Sequence, residues 1–316
     1  MTYSLAKNLI RHVTLRQLQI FEAVIRLGGY TRAADELHLT QPTVSMQVKK
    51  LSDTIGYPLL EKVGTHLHTT SFGQEVYLSA QKVLGSMVEL GETAAELEGV
   101  VKGPLKIAAI TTSKYFMPHL LGVFIHQYPD ILPALKVTNR SRVLERLQAN
   151  KDDIVIMGQV PEDLEVEAWP FIDNELVVVA NIGHPLVKCK KISLEQLLNE
   201  RFLVREPGSG TRLAIERLFS EQNLAIKPYM ELGSSEAIKQ AVMAGLGISV
   251  LSRHNLRLEL AHNYISVLDV KGFPLFYRWY AVHLKGKRLS LASRTFLQFL
   301  LEQGKDILDD YLTINN

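Results

Sequence analysis

The sequence predicts an all-α N-terminal part, a long connecting helix, and a larger α/β part folded as two lobes. Three observations predict it. Apolar residues recur at helical spacing across residues 15–55. A proline-free run, 72–98, carries a regular apolar seam. Beyond Gly103-Pro104, short apolar strands alternate with helical patterns to the end of the chain. The 316-residue length suits two or three units, at roughly 100–200 residues each.

The first helix carries Leu18, Phe21, Val24 and Ile25 on one face, and Gly28-Gly29 closes it. Thr31 is expected to cap the next helix, 32–37, which His38-Leu39 ends in a short turn. Thr40 caps a third helix running to about Ile55, with Pro42 in its first turn, where a missing N–H costs nothing. Gly56 and Pro58 end it, and residues 60–70 are expected to form a two-stranded wing. Ala33 and Ala34 let two helices cross closely over a core of Leu37, Leu39, Val44, Val48 and Leu51.

That pairing is a winged helix-turn-helix, whose second helix enters the major groove with its N-terminal residues on base edges. Gln41 can bond an adenine edge twice, and Pro42 or the Thr43 methyl can touch a thymine methyl. Ser45, Lys49 and Lys50 suit phosphates, with Gln47 on the same outward face. Arg32, and Lys62 and His68 in the wing, complete the expected DNA-contacting set. Read alone, the same residues also fit an ordinary three-helix bundle with a polar face.

In the run that follows, Val76, Ala80, Val83, Met87, Leu90, Ala94 and Leu97 are spaced 4, 3, 4, 3, 4, 3. A seam so narrow is that of a coiled coil, and it predicts a homodimer. In the α/β part, strands are expected at 105–110, 135–138, 154–157, 176–180, 202–204, 248–251, 265–267 and 279–283. Helices are expected at 117–127, 142–150, 194–198, 212–222, 235–244 and 290–302.

Three strand-end segments gather groups that suit an anion. They are Thr111-Thr112 with Lys114, Asn139-Arg140, and Arg205 followed by Gly208-Ser209-Gly210-Thr211-Arg212. Each leads into a helix, where open backbone N–H groups and the dipole favour negative charge. Thr and Ser at a helix start also serve as plain caps, and Arg205 also suits a simple pair with Glu206. Open α/β sheets bind ligands at strand C-termini, so the three together predict a small anionic effector.

Bulk properties narrow the classes. With 47% hydrophobic and 22% charged residues, the chain has material for real cores. Residues 1–73 hold eight Lys/Arg against five Asp/Glu, a net +3 that leaves −1 for the rest of an overall +2. A mildly basic head on a near-neutral body suits duplex DNA as partner. Cys189 is the single cysteine, so neither a disulfide framework nor a thiolate metal cluster is expected, nor any cofactor. The N-terminus reads as neither signal peptide nor membrane anchor, and no apolar run reaches 18 residues. The expected location is the cytoplasm, at the nucleoid, with no membrane contact. No G-x-G-x-x-G after a strand, P-loop or G-x-S-x-G elbow is present. His66-x-His68 lacks a nearby third metal ligand, and Asp152-Asp153 reads as turn residues, so no catalytic or metal residues are expected. An enzyme or a two-lobed solute-binding protein remains a distant alternative.

Residues 14–98 resemble the N-terminal domain of the LysR-type transcriptional regulators. The resemblance runs through Leu15-Arg16-Gln17-Leu18, Phe21, residues 31–37, Leu39-Thr40-Gln41-Pro42-Thr43-Val44-Ser45, Ile55-Gly56, Leu59-Leu60-Glu61, Leu67-His68-Thr69-Thr70 and Phe72-Gly73. Met46 and Lys62 depart from it, since many members carry arginine at or near those positions. Residues 103–301 extend the resemblance, which implies a periplasmic-binding-protein-like pair of lobes with the effector between them. Met46, Met157-Gly158-Gln159, the Arg205–Arg212 loop and Arg278-Trp279-Tyr280 are similar to the subgroup controlling carbon-fixation operons. That implies an effector such as ribulose bisphosphate, 2-phosphoglycolate or a nicotinamide nucleotide. A regulator of another pathway with a carboxylate effector is the alternative.

The expected domains are a winged helix-turn-helix (1–71), a linker and dimerisation helix with hinge (72–102), and an effector-binding domain (103–316). Lobe I of the latter takes about 103–172 and 277–316, and lobe II about 173–276. The expected assembly is a homodimer through the linker helix, then a dimer of dimers, on a pseudo-palindromic promoter site, with RNA polymerase as a further contact.

Overall fold

The computed structural model describes residues 7, 9–63, 66–97 and 100–312. The chain divides into two compact units, Met1–Glu98 and Gly99–Asn316.

The first unit is built on local caps. Helix α1 (Leu15–Leu27) opens on a reciprocal pair: Thr14 Oγ1 accepts the Gln17 N–H at 3.2 Å, and Gln17 Oε1 accepts the Thr14 N–H at 3.0 Å. Gly28, at φ 69°, ends it in the left-handed region. Helix α2 (Tyr30–Leu37) starts earlier than expected, because the chain turns at Gly29. Thr31 therefore lies inside the first turn and is not the cap. His38 follows at φ 52°, a conformation that a β-carbon makes unfavourable and that glycine meets more easily. Helix α3 (Gln41–Ile55) is capped by Thr40, has Pro42 in its first turn, and ends at left-handed Gly56. Ala33, Ala34, Val44, Val48 and Leu51 are buried with Phe21 and Val24 in one core. Strands β1 (Leu60–Val63) and β2 (His66–Thr69) pair antiparallel as the wing.

Helix α4 (Ser71–Leu97) leaves from the base of the wing. Thr70 Oγ1 donates to the Pro58 carbonyl at 2.8 Å and accepts the Gly73 N–H at 2.9 Å. A Cβ on Gly73 would stand 1.9 Å from the Leu59 oxygen, so only glycine fits that crossing.

The second unit centres on a seven-stranded mixed sheet. Strands β3 (Gly103–Ile110), β4 (Ile131–Thr138) and β5 (Ile154–Met157) run parallel, with β3 in the middle. Two long strands, β6 (Val166–Asn181) and β11 (Leu275–Leu284), pair antiparallel with each other, and β11 also flanks β5. The far half of β6 carries β9 (Ser249–Ser252) and β10 (Ile265–Val267). The parallel pair β7 (Phe202–Arg205) and β8 (Pro228–Leu232) joins that side through a bridge from Phe202 to Ile248. Thus β6 and β11 belong to both lobes. Their near halves serve a core of Ile107, Phe124, Trp279 and Phe296. Across β6 lie two further cores, one around Phe202, Phe219 and Ile248, the other around Val177, Ile238 and Leu251.

Helices α5 (Met117–Gln127), α6 (Arg140–Gln148), α7 (Leu194–Leu198), α8 (Gly210–Glu221), α9 (Ser235–Met243), α10 (Arg257–Ala261) and α11 (Leu291–Leu312) cover these sheets. Several depart from expectation. The strand expected at 176–180 is the end of a 16-residue strand. Strand β8 and helix α10 were not expected, and α11 runs ten residues past 302. Helix α6 begins at Arg140 because Asn139 Oδ1 accepts the Arg142 N–H at 3.0 Å, capping it two residues early.

The same unit buries His254, its ring 5.6 Å from that of Phe116. Burial holds the imidazole down to about pKa 4, against the weaker pull of Asp309. Between pH 6.5 and 4 the unfolded chain takes up a proton that the folded chain refuses. Stability therefore falls as pH falls through that window, by up to about 3 kcal/mol, and is unaffected above it. Thermal melts at pH 7.5 and 5 check this. His254→Leu should lose less on acidification than the parent, and equal losses would exclude His254 as the cause.

Candidate functional site: a reading helix and an interlobe cleft

The first candidate surface is on α3. Gln41 and Pro42 open the helix and are exposed, as are Lys49 and Lys50 a turn or two further on. Ser45 and Gln47 are half-buried beside them. The Thr43 hydroxyl is shared with Thr40 Oγ1 at 2.8 Å, so its methyl, not its hydroxyl, remains for a base. Arg32 is exposed on α2 and donates to the Gly28 carbonyl at 3.1 Å. His68 is exposed on β2. Lys62 lies on β1, and its side chain falls outside the described residues. Met46 is exposed on α3, an apolar side chain among polar ones. Arg26 ties α1 to itself and to α2 through Glu22 and Glu36, which holds the reading helix's scaffold together.

The second surface is a cleft in the Gly99–Asn316 unit. Its walls are the C-terminal ends of β3, β5 and β7 and the starts of α6 and α8. The structure brings Thr111, Thr112, Arg140, Arg205, Ser209, Gly210 and Thr211 together on it. Thr112 and Ser209 are buried there, and Ser209 precedes α8 without its side chain capping the helix. The first N–H groups of α8 have no intrahelical acceptor, by the geometry of any helix start. Arg140 donates to the Gln159 carbonyl at 2.8 Å. Burial pulls its pKa down, with Asp163 opposing from farther away. Among the described residues no carboxylate stands within ion-pair distance of it.

Other expected residues are occupied elsewhere. Lys114 is exposed, its ammonium 5.0 Å above the Tyr115 ring, and does not line the cleft. Asn139 spends its side chain as the α6 cap. Gly208 takes φ 80° to turn the loop and does not line the cleft. Arg212 is drawn off by Glu216 and Glu231, both at 2.7 Å, and also donates to the Arg205 carbonyl.

Residue-level reading missed the remaining walls. Asn174 and Leu176 come from β6, Tyr277 and Trp279 from β11. Asn174 is fixed by Ser252, whose hydroxyl is 2.7 Å from its Oδ1. Beside the cleft, the Tyr115 hydroxyl donates to Glu236 at 2.7 Å, a link between the lobes. Burial works against ionisation of Glu236, yet donors from Gln240, Tyr115 and Lys239 hold its pKa at about 2.

The carboxylates singled out in the sequence are structural. Asp152 accepts Arg146 twice, at 2.8 and 2.6 Å, and Asp153 accepts the Lys106 N–H at 2.7 Å. Among the described residues no three His, Cys, Asp or Glu could hold a metal, and no helix is long and apolar enough to cross a membrane.

Residues 15–74 match the bacterial regulatory helix-turn-helix protein model of the lysR family, and residues 98–305 match the LysR substrate binding domain. The HTH-type transcriptional activator CmpR of Synechocystis sp. is 48% identical over 94% of this chain and 98% of its own. A RuBisCO operon transcriptional regulator of Acidithiobacillus ferrooxidans is 44% identical, over 94% and 96%. The regulatory domain of Synechocystis CcmR, solved in complex with 2-PG, is 47% identical with a TM-score of 0.61. It covers 63% of this chain and 96% of its own. The two matched regions together take in both candidate surfaces, and the chain belongs to the LysR family of bacterial regulatory helix-turn-helix proteins.

Proposed function

We propose that this chain is a sequence-specific transcriptional regulator of carbon-fixation or inorganic-carbon-uptake genes, answering a small phosphorylated anion of the 2-phosphoglycolate type. The observation that carries it is the cleft. An arginine with no ion-pair partner among the described residues, two threonine hydroxyls and an open helix start share one wall system. Such a site favours an anion with several acceptor oxygens. The likeness to CmpR, to the RuBisCO operon regulator and to the 2-PG-bound domain supports the phosphorylated class.

Residues 1–71 serve as DNA-binding head, 72–102 as linker and dimerisation helix, and 103–316 as effector domain. Two copies pair through α4 and set their α3 helices on the half-sites of a pseudo-palindrome in cytoplasmic DNA. Dimers pair again into a tetramer at the promoter, within reach of RNA polymerase. Effector that binds one lobe arrangement better than another shifts the assembly toward it.

The test is a thermal-shift panel of ribulose bisphosphate, 2-phosphoglycolate, 2-oxoglutarate and NADPH. A ligand at 100 times its Kd adds about 2.7 kcal/mol. Stabilisation by a phosphorylated compound is expected. Stabilisation by 2-oxoglutarate alone would replace this reading with that of a carboxylate-responsive regulator.

For the reading helix, Gln41→Ala should weaken binding to a site selected from random duplexes by about 1–3 kcal/mol. Binding to scrambled DNA at the same salt should not change. Equal losses on both duplexes would remove Gln41 from base reading.

A further inference from the structure

The two cleft arginines are in opposite states. Among the described residues, Arg140 answers only a carbonyl. Arg205, 4% exposed, is already paired within its own chain. Its Nε donates to Glu206 Oε2 at 2.7 Å and one Nη to Glu206 Oε1 at 2.8 Å. The second Nη donates to Ser235 Oγ at 2.8 Å, and the first also reaches Thr111 Oγ1 at 3.2 Å. Glu206 itself lines the cleft, and its side chain is 26% exposed. The carboxylate therefore has water beside it and a path off the guanidinium.

We propose that Glu206 is a specificity-determining residue, a resident anion that any ligand must displace to reach Arg205. The inference rests on the effector reading above and deepens it. A guanidinium fork accepts a carboxylate or a phosphate in the same bidentate manner. Exchanging one carboxylate for another on Arg205 gains nothing. The tethered one also holds an effective concentration on the order of millimolar, which a free carboxylate must outcompete. A phosphoryl group brings nearly two charges and three acceptor oxygens. It can replace Glu206 on Arg205 and still offer acceptors to Arg140, the threonine hydroxyls and the N–H groups of α8. Glu206 thus makes the cleft select phosphorylated anions over carboxylates of the same length.

The test uses the full chain and calorimetry with 2-phosphoglycolate and with diglycolate, in which a carboxymethyl group stands for the phosphoryl. Glu206→Gln should tighten 2-phosphoglycolate about tenfold, or 1.4 kcal/mol. It should tighten diglycolate by more, so that the preference narrows. Glu206→Asp, too short for the same fork, should lie between, and it decides the matter if the glutamine variant fails to fold. Unchanged or weaker binding in a variant that melts like the parent would overturn the proposal. If neither parent nor variant binds 2-phosphoglycolate, that compound is excluded as the effector. Inorganic phosphate then decides the role of Glu206. A larger phosphate-dependent rise in melting temperature in Glu206→Gln sustains it, and an equal rise overturns it.

Discussion

Replacing Met87 with glutamate should break the proposed dimer into monomers and weaken operator binding by about two to four orders of magnitude. The reason lies in how α4 spends its apolar seam. Ala80 is 1% exposed, and Val76 packs on the core of the helix-turn-helix. Val83, Met87 and Leu90 are 39, 47 and 63% exposed, although they continue the same 4-3 spacing. A stripe that is apolar, narrow and bare beyond one turn of its own support is what a second copy buries. A charge at Met87 has to be desolvated twice in the dimer, once from each chain. Pairing also links two reading helices, so the second half-site binds at a high effective concentration. Losing that link costs about 10²–10⁴ in affinity. Sedimentation and anisotropy titration on one duplex check both halves of the claim. A variant that remains dimeric and binds as tightly as the parent would exclude α4 as the pairing helix.

Arg205→Ala should lower the stability of the effector unit by about 3 kcal/mol and abolish its response to effector. Arg205 is buried and joins groups far apart in the chain, Thr111 of one lobe and Ser235 of the other. Removing it cuts that link and leaves Glu206 without its counter-charge. The cost stays below that of a fully enclosed pair because Glu206 can turn to water. Urea denaturation at constant m-value reads the stability, and a thermal shift with 2-phosphoglycolate reads the response. A change under about 0.5 kcal/mol would show the guanidinium to be a surface-like pair, within the range such pairs contribute. Set beside Glu206→Gln, the two variants give opposite signs for ligand affinity, which no general loosening of the domain would do.

Much of the N-terminal unit was legible because its determinants are neighbours in the chain. Thr40 and Pro42 start α3 and Gly56 ends it within sixteen residues. Ala33, Ala34, Val44, Val48 and Leu51 show their burial through helical spacing alone. Local signals also misled. Thr31 looks like a cap, but Gly29 makes the turn and no side chain does the capping. In the second unit, strands buried on both faces were plain, such as β5 and β9. Strand β8 was not, since its alternation is only Met230 and Leu232 half-buried about exposed Glu231, behind exposed Pro228 and Tyr229. The first half of β6 hides behind Trp169-Pro170, which reads as a break but sits beside a register shift against β11. That pairing, not propensity, makes it a strand.

By itself the sequence determined the helix-turn-helix, the seam of α4 and the kinds of group waiting at each strand end. Each depends on contacts within a turn of helix or one strand, where spacing and side-chain type suffice. Only the tertiary structure decided which of those groups share a cleft. Parallel pairing of β3 with β4 and β5 and the crossing of β6 and β11 set Arg140 and Arg205 on one cavity with Trp279. It also decided what each group is free to do. Asn139 and Arg212 bind neighbours on their own helices, Arg140 donates to the Gln159 carbonyl, and Arg205 holds Glu206. Which strand ends meet is set by pairing between segments dozens of positions apart, and no local spacing encodes it.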